Sequence, residues 1–267
     1  MNTTSRGPNN LQRADKLLVE LGLFESRKKA QVAIEKGLVS FVRDGKTHTV
    51  TKTSQEIEPK DNDQWKILSN LELEYVSRSG AKLHEALEHW NVSVRGLKVL
   101  DIGQSTGGFT ECLLRHGADF VVGLDVGRDQ LHHRLRGHPQ ILSIEKVNAR
   151  DPLSEGVLEQ ILASGVDLPV DMIVCDVSFI SAQTVLTAQW SHLRPGGQAL
   201  VLFKPQYEVG RGVHGKKGTI PDAEGLRVLE KTVKILTEQG TKVIGTLKSK
   251  VRGEDGNQEY FVYLQKN

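Results

Sequence analysis

The sequence predicts an α/β protein, a doubly wound and mostly parallel sheet of about seven strands behind a small N-terminal α+β domain. Three observations carry that prediction. Short apolar runs alternate with helix-period segments from residue 75 onward. One run, Val99 to Asp101, passes through a glycine-rich turn into a helix. The first sixty residues differ in charge, with 11 Lys/Arg against 7 Asp/Glu in a chain of 267 residues that is only +2 overall, so the basic end is the N-terminal one.

Residues 1–10 are Asn, Thr, Ser, Gly and Pro with few apolar neighbours and are expected to be a disordered tail. Residues 11–60 read as an independent module. Leu17, Leu18 and Leu21 share a helical face that stops at Gly22, and Ser26 caps a second helix bearing Ala30, Ala33 and Ile34 and ending at Gly37. A strand from Leu38 to Val42, a turn at Asp44-Gly45 and strand-like residues to Ile57 follow. Arg27, Lys28 and Gln31 gather near the start of the second helix, as either a solvated face or a contact surface. Residues 61–74 read as a polar linker with a short strand anchored by Trp65 and Ile67.

Residues 75–267 form the larger domain. Its first helix carries Leu83, Ala86 and Leu87 as an apolar stripe, with Lys82 near the positive end of the dipole, where lysine is disfavoured. Strands are expected at Val99–Asp101, Phe120–Asp125, Ile141–Ile144, Met172–Asp176, Leu200–Lys204, Lys242–Thr246 and Tyr260–Leu264, with helices that include Ser181–Leu193 and Asp222–Gln239. Ligands of such sheets bind beyond the carboxyl ends of the strands, where Asp101, Asp125, Asp176 and Lys204 fall.

The turn after Asp101 reads Gly103-Gln104-Ser105-Thr106-Gly107-Gly108-Phe109. Its glycines allow bare backbone N–H groups and a helix N-terminus to approach a nucleotide-like ligand. A pyrophosphate repels an acid placed before the first glycine, whereas the ammonium of S-adenosylmethionine does not. Asp125 ends the next strand, where an acid accepts from ribose hydroxyls, so the pair favours S-adenosylmethionine over a nicotinamide. The alternative is two strand-end acids that cap their turns.

Composition narrows the function further. Aromatic residues make up only 5% of the chain, so a long base-stacking platform is not expected. Cys112 and Cys175 show no Cys-x-x-Cys pattern and are expected as core residues in a reducing compartment, with no metal. With no signal-type segment and no long apolar run, a cytoplasmic protein without a membrane span is expected. Asp176 and Lys204, each closing an apolar strand, pair as a salt bridge or as part of a site that also draws on Lys82 and Glu259. The loop bearing Gly210, Arg211, Gly212, Gly215, Lys216 and Lys217 reads as a flexible hairpin or as a basic flap.

Arg13-x-Asp-Lys-x-Leu, Gly22-Leu-x-x-Ser26-Arg27, Ala30, Ile34, Gly37 and Val39 resemble the S-four RNA-binding domain. That resemblance implies that Arg13, Ser26, Arg27, Lys28 and Gln31 meet RNA phosphates. Ser77-Arg-Ser-Gly-Ala-Lys82, Asp101-Ile-Gly-Gln-Ser-Thr-Gly-Gly-Phe-Thr, Asp125-Val126-Gly, Asn148-Ala-Arg150, Asp176-Val-Ser-Phe-Ile-Ser, Lys204-Pro-Gln-Tyr-Glu-Val-Gly and Gly256-Asn-Gln-Glu259-Tyr-Phe resemble the TlyA family over nearly the whole chain. The family implies an FtsJ-like, Rossmann-like domain that methylates cytidine 2′-hydroxyls of ribosomal RNA or ribosomal subunits with S-adenosylmethionine, although its members are often labelled hemolysins. It also implies a catalytic tetrad of Lys82, Asp176, Lys204 and Glu259, and a donor pocket of Asp101, Gly103, Gln104, Ser105, Thr106, Gly107, Gly108, Phe109, Asp125, Val126, Asn148 and Asp176.

Within that resemblance Lys204 is assigned as base or proton acceptor, Lys82 as the residue that tunes it and orients the hydroxyl, Asp176 as the holder of Lys204 on the methyl-donor side, and Glu259 as the residue that orients Lys82 and the ribose; a nearby lysine lowers the pKa of the base and a carboxylate raises it again. Gln104 departs from the small residue usual there and is expected either to bond the methionine carboxylate or to crowd it. A membrane cytolysin and a non-catalytic, RNA-binding assembly factor are the alternative functions. The sequence leaves the oligomeric state open.

Overall fold

A computed structural model describes residues 11–209, 218–253 and 255–267. The expected tail 1–10 and the basic-loop residues Gly210, Arg211, Gly212, Gly215, Lys216 and Lys217 lie outside the described residues. The chain divides between Glu74 and Tyr75 into two compact units.

The first unit contains β1 (Gln12–Arg13), α1 (Ala14–Glu20), α2 (Arg27–Glu35), β2 (Val39–Arg43), β3 (Lys46–Thr49), β4 (Glu56–Ile57), β5 (Gln64–Ile67) and α3 (Leu71–Glu74). The helix-period residues Ala14, Leu17, Leu18, Ala30, Ala33 and Ile34 pack with Val39, Phe41, Val50 and Ile57 into one core. Ser26 caps α2, its hydroxyl accepting from the Lys29 N–H at 3.3 Å. Asp44 and Gly45, with φ of 50° and 75°, turn β2 tightly into β3. Residues 61–74, expected as a linker, belong to this unit: β5 pairs antiparallel with β2, Phe41 opposite Trp65, and Trp65, Ile67 and Leu73 pack on its core. Their alternation is that of a half-buried strand, with Trp65 and Ile67 on one side and Gln64 and Lys66 exposed on the other.

The second unit runs through α4 (Arg78–Trp90), β6 (Lys98–Ile102), α5 (Gly108–Arg115), β7 (Phe120–Asp125), β8 (Ile141–Glu145), α6 (Glu155–Ala163), β9 (Val170–Cys175), α7 (Ala182–Gln189), β10 (Leu193–Phe203), α8 (Pro205–Glu208), α9 (Asp222–Glu238), β11 (Lys242–Lys248) and β12 (Tyr260–Gln265). Its sheet has seven strands in the order β11-β12-β10-β9-β6-β7-β8. The strands from β10 to β8 run parallel, and β12 lies antiparallel to both its neighbours.

All seven expected strands form, with ends displaced. The largest displacement is at β10, which starts at Leu193 rather than Leu200 because Leu193 already pairs with Val170. The expected helix to Leu193 stops at Gln189 and tightens into a 3₁₀ turn over Trp190–His192. The inner strands are covered on both faces and are near-continuous apolar runs such as Val99-Leu100 and Met172-Ile173-Val174-Cys175, whereas one face of edge strand β11 is exposed. From β6 the chain builds outward to β7 and β8, then returns to place β9 on the other side of β6. That reversal opens a crevice beyond the carboxyl ends of β6 and β9.

Candidate active site

A cleft lies at that crevice. It has a larger lobe of about 520 Å³ and a smaller one of about 330 Å³, and Gly103, Ser105, Asp176, Ser178 and Phe179 line both. Lys82, Asp176, Lys204 and Glu259 all line the larger lobe. Strand register explains three of them. The Asp176 N–H donates to the Ile102 carbonyl at 2.9 Å, one residue past the end of β9. Phe203 lies opposite Tyr260, so the next residue on β10, Lys204, faces the residue before Tyr260, Glu259. Lys82 comes from α4, and two glycines let it in. A Cβ on Gly80 would lie 2.6 Å from the Tyr75 ring, and one on Gly108 would collide with the Ser77 and Ser79 hydroxyls, so α4 and α5 pack backbone to backbone.

Each lysine has its own carboxylate. Lys82 Nζ donates to Glu259 Oε2 at 2.5 Å, with both side chains buried. Gly253 leaves room for that carboxylate, since a Cβ there would lie 2.6 Å from Glu259 Oε1. Lys204 Nζ lies 2.6 Å from Asp176 Oδ1 and donates to Ser178 Oγ at 3.0 Å. Burial pulls the Lys204 pKa down, but Asp176, helped by Glu259 and Tyr207, outweighs it and holds the ammonium above its ordinary value. Of the two opposing influences expected from sequence, a carboxylate raising the Lys204 pKa and a second lysine lowering it, the carboxylate prevails.

The turn residues divide into those that line the cleft and those that build it. Ser105, Thr106 and Phe109 line the larger lobe, and Asp125, Val126, Asn148, Ala149 and Arg150 line the smaller one. Asp125 Oδ2 accepts from the Ser105 N–H and Oδ1 from the Gly127 N–H, both at 2.7 Å, which ties the two strand ends together. Gly103, at φ 83°, has no space for a Cβ, which would collide with the Asp176 carbonyl oxygen. Val126 leaves an apolar side chain 74% exposed beside Asp125.

Three expected donor contacts, Asp101, Gly107 and Gly108, do not line the cleft, and a fourth, Gln104, lines it with its amide turned away. Asp101 is 0% exposed and is not part of the cleft lining. Its Oδ2 accepts from the Thr110 hydroxyl at 2.6 Å, and burial, opposed by that bond and reinforced by Asp176 and Asp125, pushes its carboxyl up to about 7. Gln104 forms part of the wall of the larger lobe, as expected, but its amide points away from it. It turns into the sheet, where Nε2 donates to Thr110 Oγ1 at 2.9 Å and Oε1 accepts from the Ser143 hydroxyl at 2.6 Å, in space that a Cβ on Gly123 would close. Gly107, at φ 89°, turns the chain into α5 under Leu131 and Leu135, and neither it nor Gly108 lines the cleft.

Several lining residues sit inside the recognised motifs without having been assigned a role: Ser77, Arg78, Ser79, Ser178, Phe179 and Tyr207. Phe179 is 89% exposed with φ 67°, a backbone region costly for an aromatic residue, and its ring centroid lies 5.2 Å from that of Tyr207. No pattern in the sequence marks that φ. Among the residues expected at RNA, Arg27 Nη2 and Gln31 Nε2 each donate to Asp15 Oδ2 at 2.7 Å, and Arg13 Nε donates to Asp15 Oδ1 at 3.2 Å. Burial would raise the Asp15 pKa, yet these three donors hold it well below the carboxylate range. Lys28 follows Arg27 in the first turn of α2, and Ser26 serves as its cap.

Sheet, turn and two-lobed cleft define a Rossmann-like methyltransferase. The chain belongs to the FtsJ-like methyltransferase family, whose model matches residues 75–266. It is 36% identical over 254 residues to the 16S/23S rRNA (cytidine-2′-O)-methyltransferase TlyA of Mycobacterium tuberculosis, covering 95% of this chain and 89% of that protein. It is 38% identical over 254 residues to Hemolysin A of Brachyspira hyodysenteriae, covering 94% and 99%. A solved structure from Streptococcus thermophilus, provisionally described as a hemolysin, superposes with a TM-score of 0.69 at 35% identity, covering 96% of this chain and 89% of that one.

Proposed function

We propose that the protein methylates the 2′-hydroxyl of a cytidine in ribosomal RNA, using S-adenosylmethionine, and that its first unit docks the RNA. One observation carries the reading: two lysine–carboxylate pairs face a single lobe that is continuous with a second lobe suited to a nucleoside. The relatives named as rRNA cytidine-2′-O-methyltransferases support it.

S-adenosylmethionine supplies an electrophilic methyl on a sulfonium. Asp125 would accept from its ribose hydroxyls, Val126 and Asn148 would line its nucleoside end, and Gly103, Ser105, Thr106 and Phe109 would line its methionine end. Lys82, held by Glu259, orients the RNA hydroxyl, and the neutral fraction of Lys204 takes the hydroxyl proton as the oxygen is held in line. Because Asp176 keeps Lys204 protonated, the neutral fraction is small at pH 7 and the rate rises with pH toward the lysine range. Phe179, exposed at the mouth, offers a ring face to the target base. In the first unit Asp15 fixes Arg13, Arg27 and Gln31 as a rigid cationic patch for phosphates.

The test is a map of 2′-O-methylation on ribosomal RNA incubated with the protein and donor. Methylation at one or a few cytidines is expected, and its absence on 16S and 23S RNA and on assembled subunits overturns the reading. No helix among the described residues is long and apolar enough to cross a membrane. The cytoplasm, where ribosomes are assembled, is the setting that this function requires. The Hemolysin A relative motivates a lytic alternative, which detergent-free lysis of erythrocytes by the Lys204→Ala variant would favour. A non-catalytic assembly factor would bind cognate RNA and show no donor binding by calorimetry.

A further inference from the structure

We infer a zinc-type cation site between α4 and α5, formed by His84, Cys112 and His116, with water or, after side-chain rotation, the Glu88 carboxylate beside His116 as the fourth ligand. None of these four residues lines the cleft. His84 and Glu88 lie four residues apart on α4, and Cys112 and His116 lie four apart across the end of α5, so each helix presents one pair of donors on one face. One ligand atom each from His84, Cys112 and His116 lies within 4.8 Å of the others. A tetrahedral zinc site brings such atoms to about 3.5 Å, a difference that side-chain rotation can close. The His84 and His116 ring centroids are 5.0 Å apart, and Glu88 Oε1 is 3.9 Å from His116 Nε2, the ring nitrogen opposite the one bonded to the Cys112 carbonyl.

The donor set points to zinc. One sulfur and two imidazoles suit a borderline-soft cation and suit magnesium or calcium poorly. Supporting bonds of the kind that orient metal-binding imidazoles are in place: the Tyr75 hydroxyl lies 3.1 Å from His84 Nδ1, and His116 Nδ1 lies 2.8 Å from the Cys112 carbonyl. On binding, the Cys112 thiol gives its proton to solvent as the sulfur–metal bond forms. The sequence offered no Cys-x-x-Cys because the two donor pairs sit on different helices and meet only in the fold. The metal would clamp α4, which carries Lys82, to the helix that follows the glycine turn.

The test uses the full chain, without an affinity tag and stripped by chelator, titrated with cobalt(II) and then zinc. One cobalt per chain is expected, with the intense near-ultraviolet absorption of a cobalt–thiolate bond, displaced by zinc. Cys112→Ser should remove that absorption, and His116→Asn should weaken zinc at least about tenfold. Cys175→Ser, at the other buried cysteine, should change neither. Absence of the thiolate band in the wild-type chain, or unchanged zinc affinity in His116→Asn, overturns the site. Because both of those readouts stand without Cys112→Ser, failure of that variant to fold does not rescue the proposal.

Discussion

Both units use a carboxylate to hold basic groups in place, and they point those groups in opposite directions. In the first unit Asp15 is buried while the Arg13 and Arg27 side chains that it holds are 50% and 56% exposed. In the cleft both members of each pair are shielded, Lys82 with Glu259 and Lys204 with Asp176. Outward cations meet polyanions across water, where salt screens them, whereas inward cations act at short range where protonation state governs them. The difference separates a surface that grips from a site that reacts, and each should respond to a different variable.

Removing the inward cation should have the largest effect. Lys204→Ala is expected to lower the methyl-transfer rate about 10²–10⁴-fold while donor affinity, measured by calorimetry, changes little. Near-wild-type turnover would remove Lys204 as the base. For the wild type, the rate should climb with pH from 7 toward the lysine range; a profile flat above pH 7 would contradict a protonated Lys204 held by Asp176.

Asp101 sharpens the contrast because it is buried with a hydroxyl donor and no cation. Its folded pKa, about 7, lies above the unfolded carboxylate value, so the native state binds the proton more tightly. Its contribution to stability is greatest in acid and is lost as pH rises from about 4 to about 7. Asp101→Asn should abolish that loss, so that by denaturant unfolding the variant gains on the wild type by on the order of 2 kcal/mol between pH 5 and 8. A difference that does not vary with pH would show that the carboxyl is ionised throughout.

Asp15→Asn should cost the first unit about 1–3 kcal/mol, since it weakens the acceptor that Arg13, Arg27 and Gln31 share in a buried position. RNA affinity should fall with it, although no cation has been deleted. Unaltered RNA affinity in a folded variant would mean that the arginines need no anchor. Arg27→Glu should have the smallest effect, about tenfold in RNA affinity with a shallower salt dependence and unchanged donor affinity. Equal affinity at all salt concentrations would count against the patch.

The sheet was legible because strands buried on both faces leave apolar runs, and the residues that end those runs, Asp125, Asp176 and Lys204, are the ones the fold delivers to the cleft. Lys82 stood out by its place at the positive end of a helix, but its role and that of Glu259 rested on motif resemblance, since no local pattern says that an antiparallel strand or a helix start will face that lobe. Three kinds of information were not local. The segment 61–74 looked like a linker because its strand pairs with one more than twenty residues earlier. The glycines Gly107 and Gly108 looked like ligand contacts, yet their missing Cβ atoms make room for Leu131 and Leu135 in the one case and for the start of α4 in the other. Gln104 looked like a threat to the donor until Gly123, on the adjacent strand, proved to leave a slot for its amide.

The strand that Glu259 leads into, β12, comes last among the strands of the described residues but is threaded between β10 and β11. A nascent polypeptide can therefore lay down the donor lobe while its counterpart stays unfinished, with Lys82 lacking its counter-ion until that hairpin slots home.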